Sequence, residues 1–511
     1  MALLKPVAST LLAMLLCALP GLAQTQTPEP APAAVPSIPR SATPTHASVH
    51  RTIATASPEA QADFDRALAF LYAFNMGAAR EGFRAAEQAD HYAALAYFGE
   101  ALCETFDINR PTTPGGEKRG AAAVRRGRAI AADAPEDERT LLAAAAQRYN
   151  SHLKPAQRFR AFFAALQAYT AHHPQDGMAL TIAADAGWTA TDTLLDKHGV
   201  QTADARTIAR DLDAALALDP GDIGAHHLRI HFWEAVGKPE HARFDADYLA
   251  SLAYDPGESH LLHMAGHIYT RIGNYAGVVT SNEAACANDV AYFAAGTGPG
   301  QTYMRTYHDH DVDFVLYGLT TLGRDAEARA FAAHEDVEMR RNLAIRLHDR
   351  GALRALGFDP DDSTVNKPLA EARAGLLGRA QYDARDFLKG PRKATGLLRG
   401  VLALAKGNLR AAVVGYHDAY AAARRTELGD PKYFWQIPIG EGYGAALLRT
   451  HAFVAAETVF RAELRRYPND PHLWFGLAEA LKGQRKDDTA ARASYTEEWK
   501  GVEPLTLADL G

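Results

Sequence analysis

The sequence predicts an all-α protein, an α-solenoid made of stacked helical hairpins. From about Ser57 onward, alanine is abundant and apolar residues recur at three- and four-residue spacing, the period of an amphipathic helix. One stretch also repeats itself: Asp219-Pro220 returns as Asp255-Pro256, and Gly237 returns as Gly273, each 36 residues later. Each unit reads as a turn, a helix, a glycine-containing turn and a second helix. Because such helix pairs bury their apolar faces only by stacking, we expect a curved superhelix.

This repeat resembles the tetratricopeptide repeat (TPR), whose period is about 34 residues. Further units can be recognised less clearly near the start, over 69–105, and near the end, over 401–425 and 444–495. The sequence therefore predicts a TPR-like solenoid in two parts. Residues 51–358 form the N-terminal part, residues 369–505 form the C-terminal part, and the Asp- and Pro-containing stretch 359–368 lies between them as a hinge.

Composition restricts the partners of the chain. Of its 511 residues, 47% are apolar and 23% are charged, which is typical of a folded, soluble protein. The net charge is −7 and there is no long basic run, so we expect neither nucleic acid nor an anionic membrane as a partner. No apolar stretch after the N-terminal one is long enough to insert into a membrane.

The N-terminus has the pattern of an export signal. Lys5 precedes an apolar stretch that ends in small residues, with Gly21 and Ala23 before a predicted cut, so residues 1–23 are predicted to be a signal peptide. Residues 24–50 are a Pro/Ala-rich linker that cannot form a core. We expect a periplasmic or secreted protein. Two cysteines then remain, Cys103 and Cys286, and the sequence leaves open whether they form a disulfide or stay as separate buried thiols.

Two histidine pairs occupy the same register in neighbouring repeats. His227 and His231 in the first unit correspond to His263 and His267 in the second, again 36 residues later. Residues four apart share one face of a helix, and equal positions in neighbouring repeats face the same way. We therefore predict that the four imidazoles converge on the inner surface of the superhelix. Glu234, three residues after His231, is predicted to lie beside them.

The third unit is longer than the first two. Its turn glycine, Gly323, comes 50 residues after the equivalent glycine of the second unit, and the extra length falls in the stretch GTGPGQTYMRTYH. The same step places His310 and Asp313 on the third helix, facing the histidine pairs. We expect the extra stretch to be a loop whose Tyr303 and Tyr307 cover the site.

Imidazoles together with one or two carboxylates are the ligands that transition metals prefer. An exported protein meets copper or zinc more readily than iron, so we expect copper or zinc first. Two alternatives stay open: a hydrogen-bonded histidine cluster that fills core positions, and a pocket for an anion or another small molecule. The predicted metal ligands are His227, His231, His263, His267, His310 and Asp313.

These motifs resemble those of a family of bacterial TPR proteins, many of them exported. The family carries H-x-x-I-H followed by Glu, then H-M-P-S-H-I-Y-x-R-x-G, then a Tyr-rich loop that ends P-H-N-x-H-F. Here the corresponding stretches are HLRIHFWE (227–234), HMAGHIYTRIG (263–273) and DHDVDF (309–314). His310 matches the first His of the last motif, whereas Asp313 stands where the family has His. The resemblance spans most of residues 50–490 and implies the repeat fold and the histidine site, but no particular reaction.

Two classes of function follow from this sequence. In the first, the chain is a metal-dependent protein, a hydrolase or an oxidase, in which the metal activates a bound water and Glu234 or Asp313 takes its proton. In the second, the chain is a scaffold whose concave surface binds a protein or peptide, and the histidines are structural. The sequence contains no G-x-S-x-G, H-E-x-x-H or G-x-x-x-x-G-K motif, so catalysis stays open.

Overall fold

The computed structural model describes residues 49–104, 113–296, 301–358, 366–390, 395–423 and 438–510. Over these ranges the chain is built from helices, and the one β feature found there is an isolated bridge between Leu195 and Gln201. Helices that follow each other in sequence pack side by side as hairpins. The predicted all-α, TPR-like solenoid is confirmed.

The first fourteen helices contain the predicted histidine motifs. Their bounds are α1 Pro58–Tyr72, α2 Met76–Ala89, α3 Ala94–Leu102, α4 Pro114–Ile130, α5 Glu136–Arg148, α6 Pro155–His172, α7 Gly177–Ala190, α8 Ala203–Leu218, α9 Ile223–Ala235, α10 Arg243–Ala250, α11 Ser259–Ile272, α12 Tyr275–Ala294, α13 Gln301–Thr321 and α14 Asp325–Ala332.

Ten more helices complete the described chain. They are α15 Val337–Arg346, α16 Arg350–Leu356, α17 Asn366–Arg373, α18 Leu377–Ala384, α19 Gly396–Ala405, α20 Leu409–Ala423, α21 Ile439–Arg449, α22 Phe453–Leu464, α23 Pro471–Gly483 and α24 Thr489–Glu498. Short 3₁₀ turns lie at Ala131–Asp133, Pro239–Ala242 and Phe387–Lys389.

The glycine turns that define the repeat are present at the expected places. Gly237 follows α9, Gly273 follows α11 and Gly323 follows α13, with φ angles of 74°, 76° and 76°. This left-handed conformation is one that L-residues other than glycine adopt at a cost, so glycine ends the first helix of each hairpin. Helix α9 also has a side-chain cap: the side chain of Asp222 accepts a hydrogen bond from Ala225 N at its start.

Helix α11 is enclosed by other helices of the described chain. Every residue from Ser259 to Thr270 is buried, because α9, α12 and α13 all pack against this helix. A helix that is covered on all sides has no solvent-facing stripe, so its polar side chains must find partners inside the protein. Helix α11 contributes three histidines to that interior.

The N-terminal hairpin folds back onto the histidine-bearing repeats. Helix α1 packs on α9, and the amide of Asn75 donates a buried hydrogen bond of 3.1 Å to the carbonyl oxygen of Gly257. Gly224 makes the approach possible, because a Cβ there would lie 2.6 Å from the ring of Tyr72. The inner surface expected from the sequence is therefore closed over by α1, α2 and the turn between them.

The C-terminal helices also contact the central repeats. Asn469 donates to the carbonyl of Gly273 at 3.4 Å, and the backbone N–H of Lys500 donates to the carbonyl of Leu322 at 2.8 Å. A buried ion pair joins Arg346 to Glu441 at 3.1 Å. The two predicted parts of the solenoid, 51–358 and 369–505, thus pack directly on each other.

Several predicted features fall wholly or partly outside the described residues. These are the signal peptide 1–23, nearly all of the linker 24–50, and most of the hinge 359–368, of which 366–368 already belong to α17. The expected loop is wrong over most of its length. Helix α13 begins at Gln301, so Tyr303 and Tyr307 lie on a helix, and the side chain of Tyr307 is buried.

Both cysteines of the folded region are buried free thiols in the described structure. Burial raises the pKa of Cys103 and of Cys286 far above the ordinary thiol value, so both stay protonated and unreactive. Of the two alternatives for these cysteines, the structure has the separate thiols. A search of the described helices for one with the length and apolar character of a membrane span gave none.

Candidate metal centre

Six histidines from α9, α11 and α13 meet in the interior. They form two groups of three, and in each group one nitrogen from every ring lies within 4.8 Å of the other two. Five of the six are buried and His231 is partly buried. We call His227, His231 and His260 the first triad, and His263, His267 and His310 the second triad.

Both triads are assembled in the same way. Each combines the two histidines four apart on one helix with a single histidine from the next first helix of the solenoid. His260 on α11 completes the pair on α9, and His310 on α13 completes the pair on α11. Because His260 and His310 also correspond to each other in the repeat, being 50 residues apart, the repeat itself generates two equivalent groups.

In the first triad, the protein backbone fixes the tautomer of His227. Its Nδ1 lies 2.7 Å from the carbonyl oxygen of Tyr72, which can only accept, so Nδ1 carries the proton and Nε2 carries a lone pair. That Nε2 is 3.1 Å from Nε2 of His231. Burial lowers the pKa of His227 to about 4 and that of His231 well below its ordinary value, so these rings are neutral, which is the form that binds metal.

His260 is the least satisfied member of the cluster. Its side chain is 1% exposed, and among the described residues neither of its ring nitrogens has a hydrogen-bond partner. Burial lowers its pKa well below the usual value, so the ring is neutral. A buried polar group without a partner costs about 1–3 kcal/mol, which a native protein rarely leaves unexplained. A ligand bound to a ring nitrogen would remove this penalty.

In the second triad, an amide on α12 fixes His263. The Oδ1 of Asn282 lies 2.7 Å from His263 Nδ1, while the Nδ2 of the same amide donates to the carbonyl of Val278 at 2.8 Å. The amide orientation is thereby determined, and His263 donates from Nδ1. Gly266 leaves the room that this contact needs, because a Cβ there would lie 2.4 Å from Asn282 Nδ2.

Two buried carboxylates stand behind the second triad. Glu234 Oε2 lies 3.0 Å from Nδ1 of His267, and its Oε1 accepts from Arg271 at 3.1 Å. Asp311 Oδ1 lies 2.9 Å from Nδ1 of His263. Burial alone would raise the pKa of Glu234, but His267 and Arg271 outweigh it and hold the pKa well below its ordinary value. Carboxylates behind Nδ1 orient imidazoles for metal binding through Nε2.

The two remaining nitrogens of this pair face each other. Nε2 of His263 and Nε2 of His267 are 2.9 Å apart. Nδ1 of His263 donates to Asn282 and Nδ1 of His267 lies 3.0 Å from Glu234 Oε2, so we place one proton on each Nδ1, and without a further proton two lone pairs then meet at Nε2. Such a contact needs a cation between the rings, either a proton or a metal ion. The edge of a metal coordination shell with M–N bonds of about 2.0–2.1 Å has a similar N–N separation, roughly 3 Å.

Each triad also packs against a phenylalanine ring. Phe74 lies 4.4 Å from the ring of His227, centroid to centroid, and 5.4 Å from that of His260. Phe314 lies 4.7–5.1 Å from the three rings of the second triad. Phe74 has a φ of 57°, an unusual backbone conformation for a bulky residue that places its ring over the first triad. These rings exclude water and lower the local dielectric.

The neighbouring His226 is not part of the cluster. It is buried, and its Nδ1 contacts Asp245 at 2.6 Å while its Nε2 contacts the carbonyl oxygen of Pro220 at 3.0 Å. Both nitrogens are therefore engaged. The side chain joins α9 to α10 and has no nitrogen left for a ligand.

Most of the predicted site residues, but not all of them, belong to the two triads or contact them. The five predicted histidines all belong to the triads, and Glu234 lies beside them as expected. Asp313 belongs to neither triad. In register it is the first member of a third pair, at the position of His263, but the second member of that pair is Tyr317. On the same helix, the carboxylate of Asp311 reaches the cluster at His263.

Two site residues escaped the sequence analysis. His260 had a detectable signal, since it lies three residues before His263 and seven before His267, on the same helix face. Asp311 had no such signal. The repeat register pointed to its neighbour His310, and only the packing of α13 on α11 brings the carboxylate of Asp311 to His263.

A small cavity borders the first triad. It has a volume of about 20 Å³ and is lined mainly by apolar side chains, among them Leu71, Met76 and Leu228, with His227 in its wall. A space of this size holds about one water molecule. Phe74, whose ring covers the first triad, also lines this cavity.

Comparison with known proteins adds little. No protein-family model matches the chain, and no curated protein matches it. Forty-six chains of solved structures match, among them the TPR domain of P58(IPK), which is 12% identical over 83% of this chain and 98% of that domain. The TM-score of that match is 0.24, too low to support a conclusion about this protein. The family resemblance of the histidine motifs stays a prediction.

Proposed function

We propose that this protein binds a transition metal ion through its interior histidine cluster. The observation that carries the proposal is the 2.9 Å contact between Nε2 of His263 and Nε2 of His267, with the Nδ1 atoms of both rings already facing acceptors. A metal ion between these nitrogens relieves the repulsion of their lone pairs. His310 supplies a third nitrogen within 4.8 Å of a nitrogen of each of these rings, which a shared proton would not require.

The donor set favours copper or zinc. All members of the two triads are imidazoles, and the nearby carboxylates of Glu234 and Asp311 lie against Nδ1 atoms behind the rings. Nitrogen-only sites suit copper and zinc, whereas iron(II) sites of this kind commonly include a carboxylate ligand. Export to the periplasm or the medium, as the N-terminal sequence predicts, would load the site from metals available there.

Neither candidate proton acceptor is well placed for catalysis. Both oxygens of Glu234 are occupied, one by His267 and the other by Arg271, so this carboxylate positions a ring. Asp313 lies outside both triads. The proposed function is therefore metal binding, and a reaction at the metal does not depend on these two carboxylates.

The competing hypothesis is a protein-binding scaffold with structural histidines. It is favoured by the solenoid fold, which commonly presents an extended surface to other proteins. In that case a proton, not a metal ion, lies between His263 and His267, and the cluster contributes only to packing. The two hypotheses predict different metal contents for the same purified chain.

Elemental analysis of the wild-type chain, purified without a histidine tag, tests the proposal. We expect at least one equivalent of copper or zinc per chain, as isolated or after adding the metal and removing the excess. The double variant His263→Asn/His267→Asn should lose metal, whereas His241→Asn, which changes a half-exposed histidine outside the cluster, should retain it. A wild-type chain that holds no copper, zinc or iron under either condition overturns the proposal.

A further inference from the structure

We infer that the cluster holds two copper ions, one in each triad, and that a molecule of dioxygen binds between them. This inference rests on the proposed metal-binding function and adds the number of ions and their small ligand. It comes from the presence of two separate three-nitrogen groups, where a single ion would need only one.

The repeat symmetry is the first support for two ions. The first triad and the second triad contain the same elements in the same order, a pair four residues apart and one histidine from the following helix. Each supplies three imidazole ligands, and a metal ion with three protein ligands keeps a coordination position for an additional ligand. If one ion used the second triad alone, the buried and unpartnered nitrogens of His260 in the first triad would have no explanation.

The second support is the distance between the triads. The rings of His231 and His267 are 6.0 Å apart, and those of His260 and His263 are 5.5 Å apart. Ring separations within the triads span 4.5–6.3 Å. Rings of different triads are therefore as close as rings of the same triad. We therefore place the two ions in adjoining sites, close enough for one small ligand to bridge them, as in two-metal centres.

Charge favours univalent copper in the resting site. The buried carboxylates of Glu234 and Asp311 bring two negative charges, and Arg271 offsets part of them. Two divalent ions would bring four positive charges into this interior, whereas two Cu⁺ ions bring two. Because uncompensated buried charge is costly, the surroundings match the univalent pair better. Zinc has no univalent state of this kind, so the site is better suited to copper.

The cavity selects the ligand. The cavity of about 20 Å³ borders the first triad at His227, and its mainly apolar lining has room for about one molecule of the size of water or dioxygen. An apolar space beside a copper ion favours the uncharged, apolar dioxygen over an anion. In the step we propose, each Cu⁺ gives one electron, dioxygen takes up both electrons, and the product is peroxide bound between two Cu²⁺ ions. No proton or further reductant is needed for this step.

Copper stoichiometry in single variants tests the inference. The wild-type chain, loaded anaerobically with Cu⁺ and freed of excess, should contain two copper ions. His260→Leu should contain one, and His310→Leu should contain one, while His241→Asn should retain two. His260→Leu is the safer variant, because it removes a ring without hydrogen-bond partners and should leave the apo protein as thermally stable as the wild type. Two ions in the wild type and one in each triad variant is the expected result.

Admission of dioxygen provides the second readout. The two-copper wild type should develop a new charge-transfer absorption band and stay silent in electron paramagnetic resonance, because the two Cu²⁺ spins couple through the bound peroxide. The one-copper variants should lack the band. One copper ion per wild-type chain, lost in both triad variants, would overturn the inference but leave metal binding intact. No metal at all would overturn both, and two ions without an oxygen-dependent band would overturn the choice of ligand.

Discussion

The imidazole of His263 illustrates how single contacts prepare a ligand. Its Nδ1 is held by Asn282, and the amide of Asn282 is itself held by the carbonyl of Val278. The chain of contacts leaves Nε2 with its lone pair directed at His267. Ring orientation and tautomer are thus decided before any ion arrives, which reduces the cost of ordering the ligands on binding.

Removal of this amide should weaken metal binding without removing a ligand. For Asn282→Ala we expect metal affinity to fall by about 10–100-fold, the usual effect of losing a group that orients a metal-bound histidine. Competition titration with a chelator measures the change. Asn288→Ala is the control, since Asn288 lies on the same helix and contacts backbone carbonyls of Tyr254 and Asp255. Equal losses in both variants would contradict a specific role for Asn282.

A second residue, remote from the cluster, should make stability depend on pH. Burial and the neighbouring Arg373 lower the pKa of His348 to about 3, and its Nε2 accepts a hydrogen bond from Arg373. In the unfolded chain the ring takes up a proton below about pH 6.5. The unfolded state therefore gains protons first, and stability should fall as pH drops from 6.5 toward 3, by up to about 1.4 kcal/mol per pH unit.

The variant His348→Asn isolates this contribution. Asparagine tolerates the φ of 53° found at this position and has no group that titrates in the window. Denaturant unfolding at several pH values should show a shallower decline below pH 6.5 for the variant than for the wild type. Parallel curves for the two proteins would show that His348 does not stay neutral in the folded state.

At the scale of elements, the central repeats depend on close contacts at the helix ends. Gly273 ends α11 with φ 76°, and a Cβ added there would lie 2.1 Å from the carbonyl oxygen of Pro468. Gly199 has nearly the same φ, 78°, but a Cβ there would meet no atom within 4 Å. Substitutions at the two glycines therefore distinguish the cost of backbone strain alone from the cost of strain together with a steric clash.

Alanine substitutions at these glycines should differ in cost. Gly199→Ala should lower the free energy of unfolding by about 1–2 kcal/mol, the cost of a left-handed L-residue. Gly273→Ala should cost more, about 3 kcal/mol or above, because the backbone around Pro468 must also move. Chemical denaturation of both variants measures the difference. Equal costs would mean that the contact between α11 and the C-terminal helices is loose.

The elements also show what the sequence can and cannot predict. The helical period and the 36-residue step identified the hairpins, and the same step placed His227, His231, His263 and His267 on one surface. The third unit departs from that step, so the extra stretch looked like a loop although most of it begins α13. In this third unit the repeat register predicted Asp313 as a site residue and not Asp311. The contact of Asp311 with the cluster depends on the packing of α13 on α11, which the sequence pattern does not contain.

At the scale of the molecule, the return of the chain onto itself could not be predicted from periodicity. The fold-back of α1 onto α9 depends on contacts between residues far apart in sequence, such as Tyr72 with His227 and Asn75 with Gly257. Local pattern contains no information about such pairs. This return covers the first triad with Tyr72 and Phe74, whereas the second triad is buried by the packing of α12 and α13 on α11.

Metal removal should therefore affect the whole solenoid. A site that joins α9, α11 and α13 binds the folded state only, so saturating metal at about 1,000 times the dissociation constant should add about 4 kcal/mol to stability. Calorimetry should show a clear rise in melting temperature when metal is added to the chelator-treated protein. An unchanged melting temperature, with metal bound at equilibrium, would mean that the ion sits elsewhere, on a surface that does not unfold cooperatively.

Anomalous X-ray diffraction from copper-loaded crystals locates the ions themselves and so decides whether both triads bind metal. We predict two copper peaks in the protein interior, one about 2 Å from the ring nitrogens of the first triad and one at the same distance from those of the second triad. Crystals that are saturated with copper but show no peak between α9, α11 and α13, with His263 and His267 still in direct contact, would contradict the account.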